Sequence, residues 1–201
     1  MYADFRWSDG NIEARLGAVP AGEAVSLVGP GGGRGGGAPR PLGRAAFVAT
    51  MDDAVVISSA DSAVVTIVRG DGRSSHHKLP IPLRAPTRSE YELAIQATAS
   101  MAPAPLRQSM IEQLAAVPPP DRLPPVSALF ADSEGLVWVQ TTPPGGKTLD
   151  FLVIQGSRSV VARVQVPLGL TIFEIGRDYV LGSYTDASDE MHVAVYRLRR
   201  Q

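Results

Sequence analysis

The residues best suited to chemistry in this chain are few and scattered. His192 stands close in sequence to Asp186, Asp189 and Glu190, a grouping of imidazole and carboxylates of the kind that binds cations. The group lacks the alternating oxygen ligands of a calcium loop, so a solvated loop beside a strand is the expected reading. His76 and His77 are adjacent. In a strand they would point to opposite faces and could not chelate one metal. Gly145-Gly146-Lys147-Thr148 ends like a phosphate-binding loop, but Thr141 occupies the place of its first Gly and strand-forming residues follow where a helix is required. A second glycine-rich stretch, residues 29–39, runs into Pro41-Leu42-Gly43 and then a strand. Backbone capture of an anion needs a helix N-terminus there, so this stretch reads as a flexible loop. The chain has no Cys, which excludes disulfides, thiol catalysis and cysteine-based zinc sites. Neither Gly-x-Ser-x-Gly nor His-Glu-x-x-His occurs. No catalytic, cofactor-binding or metal-binding residue is nominated, and no cofactor is expected.

The elements that would position such residues are far more legible. Three times an apolar run enters a tight acidic or Gly turn, leaves along a second run, and after a loop enters a third. The copies lie at residues 44–68, 126–154 and 170–198, with turns at 52–53, 132–135 and 176–178. Asp71-Gly72 and Gly156-Ser157 then lead into fourth strands that end near Pro80 and Pro167. Residues 3–16 form a further strand pair around Asp9-Gly10. Asp-Gly between β-formers is a strong hairpin signal because Gly supplies the positive φ these turns need. Repeats spaced by tens of residues point to stacked meander sheets, as in a propeller. Trp138 is expected in the core, with Val137 and Val139 on the opposite face of its strand.

Residues 125–139, with Pro125, the turn Asp132-Ser133-Glu134-Gly135 and then Leu136-Val137-Trp138-Val139, resemble the repeat of bacterial six-bladed β-propellers related to NHL-repeat proteins. Residues 175–182 and 193–198 are similar to the last blade of such proteins. The resemblance implies the C-terminal portion of a propeller. The expected fold is all-β: a partial β-propeller of about three four-stranded antiparallel blades with a helical hairpin insertion. Residues 1–201 form a single partial domain in this scheme. Residues 1–20 are the third and fourth strands of a first blade, 21–43 a Gly-rich loop, 44–82 a second blade, 83–124 the helical insertion, 125–168 a third blade and 169–201 an incomplete last blade.

Within the insertion, Thr87 and Glu90 fit a capping box for a helix over residues 89–100. A second helix over 106–117 would carry Leu106, Met110, Ile111 and Leu114 on one face. That stripe is expected to pack on the blades. In an up-and-down meander, the turns joining first to second and third to fourth strands lie at one end, and all are short. The long segments, namely the Gly-rich stretch, the insertion, residues 141–148 and residues 183–190, gather at the other, where binding is usually placed.

With a formal net charge of −1 over 201 residues, no electrostatic footprint for nucleic acid is present. No run reaches the ~18 apolar residues of a membrane span. The first residues, Met1-Tyr2-Ala3-Asp4-Phe5-Arg6, lack the order of a secretion signal. The compartment is left open, extracytoplasmic if an upstream N-terminus is missing. The expected function is a non-catalytic binding or interaction scaffold for a protein or small molecule. The alternatives are a fragment of a metal-dependent hydrolase or lactonase-like propeller and a truncated product without independent function. The hydrolase would need inward carboxylates on the innermost strands, where Glu174 is the lone candidate. Self-association through open blade edges is an expectation: residues 3–16, from the same chain or a second copy, are the natural partner of residues 191–196, with pairing in trans or none at all favoured over pairing in cis.

Overall fold

The computed structural model describes residues 2–8, 13–20, 22–29, 32–51, 53–59, 62–141, 145–156 and 160–199. Its architecture is mostly β: small antiparallel sheets and two α-helices. Strands β1 (Tyr2–Ser8) and β2 (Glu13–Pro20) pair with each other, as do β3 (Ala24–Val28) and β4 (Arg34–Pro39). A four-stranded meander follows, of β5 (Ala46–Met51), β6 (Ala54–Ser59), β7 (Val64–Arg69) and β8 (Ser74–Lys78). Helices α1 (Arg88–Ser100) and α2 (Arg107–Ala115) come next. A second four-stranded meander consists of β9 (Ala128–Ala131), β10 (Leu136–Gln140), β11 (Thr148–Gln155) and β12 (Val160–Pro167). The last sheet has three strands: β13 (Thr171–Ile175), β14 (Tyr179–Thr185) and β15 (Met191–Arg197).

One hairpin geometry recurs. At residues 29–33, 69–73, 132–136 and 186–190 the first residue's N–H donates to the fifth carbonyl, and the fourth N–H donates back to the first carbonyl. The fourth residue has positive φ each time: Gly32, Gly72, Gly135 and Asp189. This is the three-residue loop in which a left-handed residue closes the strand pair, and it explains the Gly or Asp at that place.

The middle meander is buried on both faces. Pleating sends successive side chains to opposite sides. Val137 and Val139 of β10, with Leu152 and Ile154 of β11, join Val56, Val65 and Ile67 of the first meander in one core. Trp138, with Phe151 and Val153, joins Leu170, Ile175 and Val180 around the last sheet in another. Phe151 meets both Phe130 and Trp138 edge-on at ring separations of 6.1 Å. Continuous apolar runs such as Val137-Trp138-Val139 and Phe151-Leu152-Val153-Ile154 are what a doubly covered strand requires. The face assignment expected for Trp138 and its two valines holds.

Two expectations are corrected. The stretch expected as a Gly-rich loop, 21–43, contains a hairpin: β3 and β4 pair, and Gly35, Gly36 and Gly37 are strand residues. An added Cβ on Gly35 would lie 2.5 Å from the Leu27 carbonyl oxygen, so this close crossing of backbones admits only Gly. Glycine is a weak β-former, and its composition reads as a linker when the partner strand is ignored. The second correction concerns the helices. Their apolar residues Tyr91, Ile95 and Leu114, with Met110 and Ile111, pack on Val25, Leu27 and Leu42 of the glycine hairpin region and not on the meanders. Leu106, expected on that stripe, is exposed, and α2 starts one residue later, after a 3-10 turn at Ala104–Leu106.

Candidate functional site

The two ends of the meander stack differ in kind. At the short-turn end the turns are tied to one another, within the first meander and between the middle and last sheets. The Gly70 N–H donates to the Asp53 carbonyl (2.8 Å), and Arg69 pairs with Asp53 (2.7 Å). The Ser133 N–H donates to the Ile175 carbonyl (3.4 Å), and Arg177 faces Glu134 at 3.8 Å. The other end carries the helical pair and residues 145–148, where Gly145 approaches Leu93 of α1. Lys147 is exposed and Thr148 opens β11, so the strand expected after this false phosphate loop is present.

The helical pair presents a groove of about 530 Å³ at that end, walled by Pro86, Tyr91, Ile95, Val117 and Pro118. Its floor is fixed by sequence-local chemistry. The Thr87 hydroxyl accepts from the Glu90 N–H, and Glu90 accepts from the Thr87 N–H at 2.8 Å, the reciprocal cap foreseen from the sequence. The Tyr91 hydroxyl donates to the Val117 carbonyl at 2.7 Å and so ties α1 to the chain leaving α2. Arg40 reaches across from the glycine hairpin to the Pro118 carbonyl (3.0 Å) and to Glu23 (3.1 Å).

Glu90 also receives the Arg84 guanidinium, at 2.7 Å through one nitrogen. The Arg84 hydrogen bonds, followed by those of Thr87, hold its carboxyl at about 2, against an ordinary value of 4.5. A folded-state value below the unfolded one adds stability above pH 4.5, and that stability is lost as pH falls through about 2. The helix signal in circular dichroism should therefore melt at progressively lower temperature over that window. In Glu90→Gln the melting temperature should be lower at neutral pH and change less on acidification. Equal acid slopes in the two proteins would remove Glu90 from the account.

The acidic group beside His192, expected as a solvated loop, is drawn together: ligand atoms of Asp186, Glu190 and His192 lie within 4.8 Å of one another. Asp189 takes the positive-φ corner of the loop instead. The hydrogen bonds explain the cluster without an ion. Asp186 Oδ1 accepts from the N–H groups of Ser188 (2.8 Å) and Glu190 (3.1 Å), while Oδ2 lies 2.7 Å from His192 Nε2. Asp132 does the same at the other loop of this type. Its Oδ1 accepts from the N–H groups of Glu134 (2.9 Å) and Leu136 (2.8 Å), and its Oδ2 accepts from Trp138 Nε1 (2.9 Å). The spacings of two, four and six residues are identical, and an indole nitrogen is no metal ligand. Asp186 with His192 is therefore a turn clamp equivalent to Asp132 with Trp138, the ring in each case donating to the carboxylate. The hydrogen bonds from Ser188 and then His192 hold the Asp186 carboxyl at about 2. His192 also stacks on Tyr184 at 5.4 Å.

The other residues weighed for chemistry stay apart. His77 is buried and contacts Ser75, and His76 is exposed and contacts Thr66, on opposite faces of β8 as expected. Glu174 is exposed and accepts from the Tyr179 hydroxyl at 2.6 Å. The groove at Tyr91 was missed in the sequence. Its signal was available in the Pro118-Pro119-Pro120 run, which holds the chain extended past α1. No family model, curated protein or solved structure matches this chain.

Proposed function

We propose that this chain is a non-catalytic binding scaffold of the β-propeller type, related to the six-bladed NHL-like group, and that it recognises its ligand with the loop-bearing end. The observation that carries this reading is the middle meander, buried on both faces by its neighbours, with its first strand β9 lying against both β5 and β13. Adjacent first strands and face-to-face sheets are the relation of blades around an axis. Three carboxylates of the loop-bearing end have structural roles: Glu90 in a cap, Asp186 in a turn clamp, and Glu23 in pairs with Arg40 and Arg44. That leaves shape, apolar surface, peptide groups and exposed side chains such as Arg88 to do the recognising. Rigid sheets with variable connections at one end are a common way to build such a surface.

A thermal-shift screen against small-molecule and peptide libraries tests the reading. Compounds that stabilise the chain should lose about tenfold in affinity with Arg88→Ala or Tyr184→Ala at the loop-bearing end. Asp71→Ala and Arg73→Ala at the short-turn end should leave binding unchanged. The reverse pattern would place recognition elsewhere and end the proposal.

A further inference from the structure

The last sheet stops one strand short of its two predecessors, and the place of that strand is shaped. Among the described residues β15 pairs only with β14, so its outer backbone edge is open. Beside it lies a groove of about 610 Å³, floored by Trp138, Val153, Ala162 and Val164 and bordered by Leu198 and Arg199. The groove exists because β12, the fourth strand of the middle meander, extends past the three-stranded sheet, and no described strand lies over it. Apart from Arg197 at its end, β15 also lacks the devices that guard edges. From Met191 to Tyr196 it has no Lys, Pro or bulge, and Met191, Val193 and Val195 are 75%, 72% and 68% exposed. The edge strand β12, by contrast, ends in Pro167, carries Arg163 and contains a bulge.

We propose that this edge and groove receive strand β1 of a second copy of the chain. β1 has the same seven-residue length as β15, and among the described residues it pairs only with β2, which leaves its other edge open there. In its own chain the hairpin lies against β6 of the first meander, on the far side of the middle sheet from β15. The partner edge is therefore supplied in trans. In an antiparallel register, Ala3, Phe5 and Trp7 fall opposite Tyr196, Ala194 and His192. Asp4 then falls opposite Val195 and diagonal to Arg197, and no like charges oppose each other. The added strand takes the place of the fourth strand that its predecessors have, with β2 of the second copy beyond it. The head-to-tail contact made twice between two copies closes a ring of six meanders, within the range in which propellers close. This inference goes beyond the scaffold reading, since it needs only the edge and the groove.

The absence of Cys makes the test direct. Phe5→Cys and Ala194→Cys are placed on separate chains, mixed and oxidised, because opposed strand residues meet disulfide geometry. A 5–194 cross-linked heterodimer is expected by mass spectrometry, well above the homodimers of either variant alone. Light scattering should show the unmodified chain as a dimer that Val193→Pro converts to monomer, with its circular dichroism retained. A monomeric unmodified chain, a mixture without the 5–194 link, or a double variant that links only within one chain would overturn the proposal.

Discussion

Replacing Trp138 by Ala is expected to be the most damaging single truncation in the protein. The side chain is 3% exposed at the centre of the core between the middle and last sheets. Removing a buried Trp costs roughly 3 to 5 kcal/mol. Its indole N–H also donates to the buried Asp132 carboxylate, and taking away that donor adds about 1 to 3 kcal/mol. A domain of this size has about 5 to 15 kcal/mol in total. At about 2 to 4 °C per kcal/mol, the packing loss alone lowers the melting temperature by roughly 6 to 20 °C. Trp138→Phe keeps most of the packing and loses the hydrogen bond, so its drop should be much smaller. Calorimetry on the three proteins separates the two contributions. An unchanged transition in Trp138→Ala would mean that the residue is not buried.

Val139→Asp should be more severe still. Val139 is fully buried in the core shared by the two four-stranded meanders, with Val56, Val65 and Ile67 in the same cluster. A carboxylate there has no cation to meet among the clustered side chains, and the effective penalty for an unpaired buried ion is several kcal/mol. The expected result is a chain without cooperative unfolding and with exposed apolar surface that binds a hydrophobic dye. Val28→Asp, at a position 60% exposed, should fall within about 0.5 kcal/mol of the unmodified protein. A folded Val139→Asp would separate the two meanders.

The meanders were legible in the sequence because their evidence is local. Gly or Asp corners mark the turns, and runs such as Val137-Trp138-Val139 announce strands covered on both sides. The capping box at Thr87 and Glu90 is equally local, and it occurs where the sequence places it. The glycine hairpin was not legible, because what makes residues 34–39 a strand is the Leu27 backbone crossing Gly35 and two helices covering β3. Neither is written in the composition of that stretch. The destination of the helical stripe was hidden for the same reason, since its covering surface is that hairpin. The acidic group around His192 was visible as a cluster. Its meaning came only from matching its hydrogen bonds, residue by residue, with those of Asp132 and Trp138.

The central claim is that three meander sheets stack through both faces of the middle one. Nuclear Overhauser measurements on methyl-labelled protein test this most directly. The account predicts cross-peaks from the methyls of Val137 and Val139 to those of Val56, Val65 and Ile67, together with cross-peaks from the Trp138 ring to Leu170, Ile175 and Val180. Cross-peaks on one face of the middle sheet alone, or to neither neighbour, would contradict it.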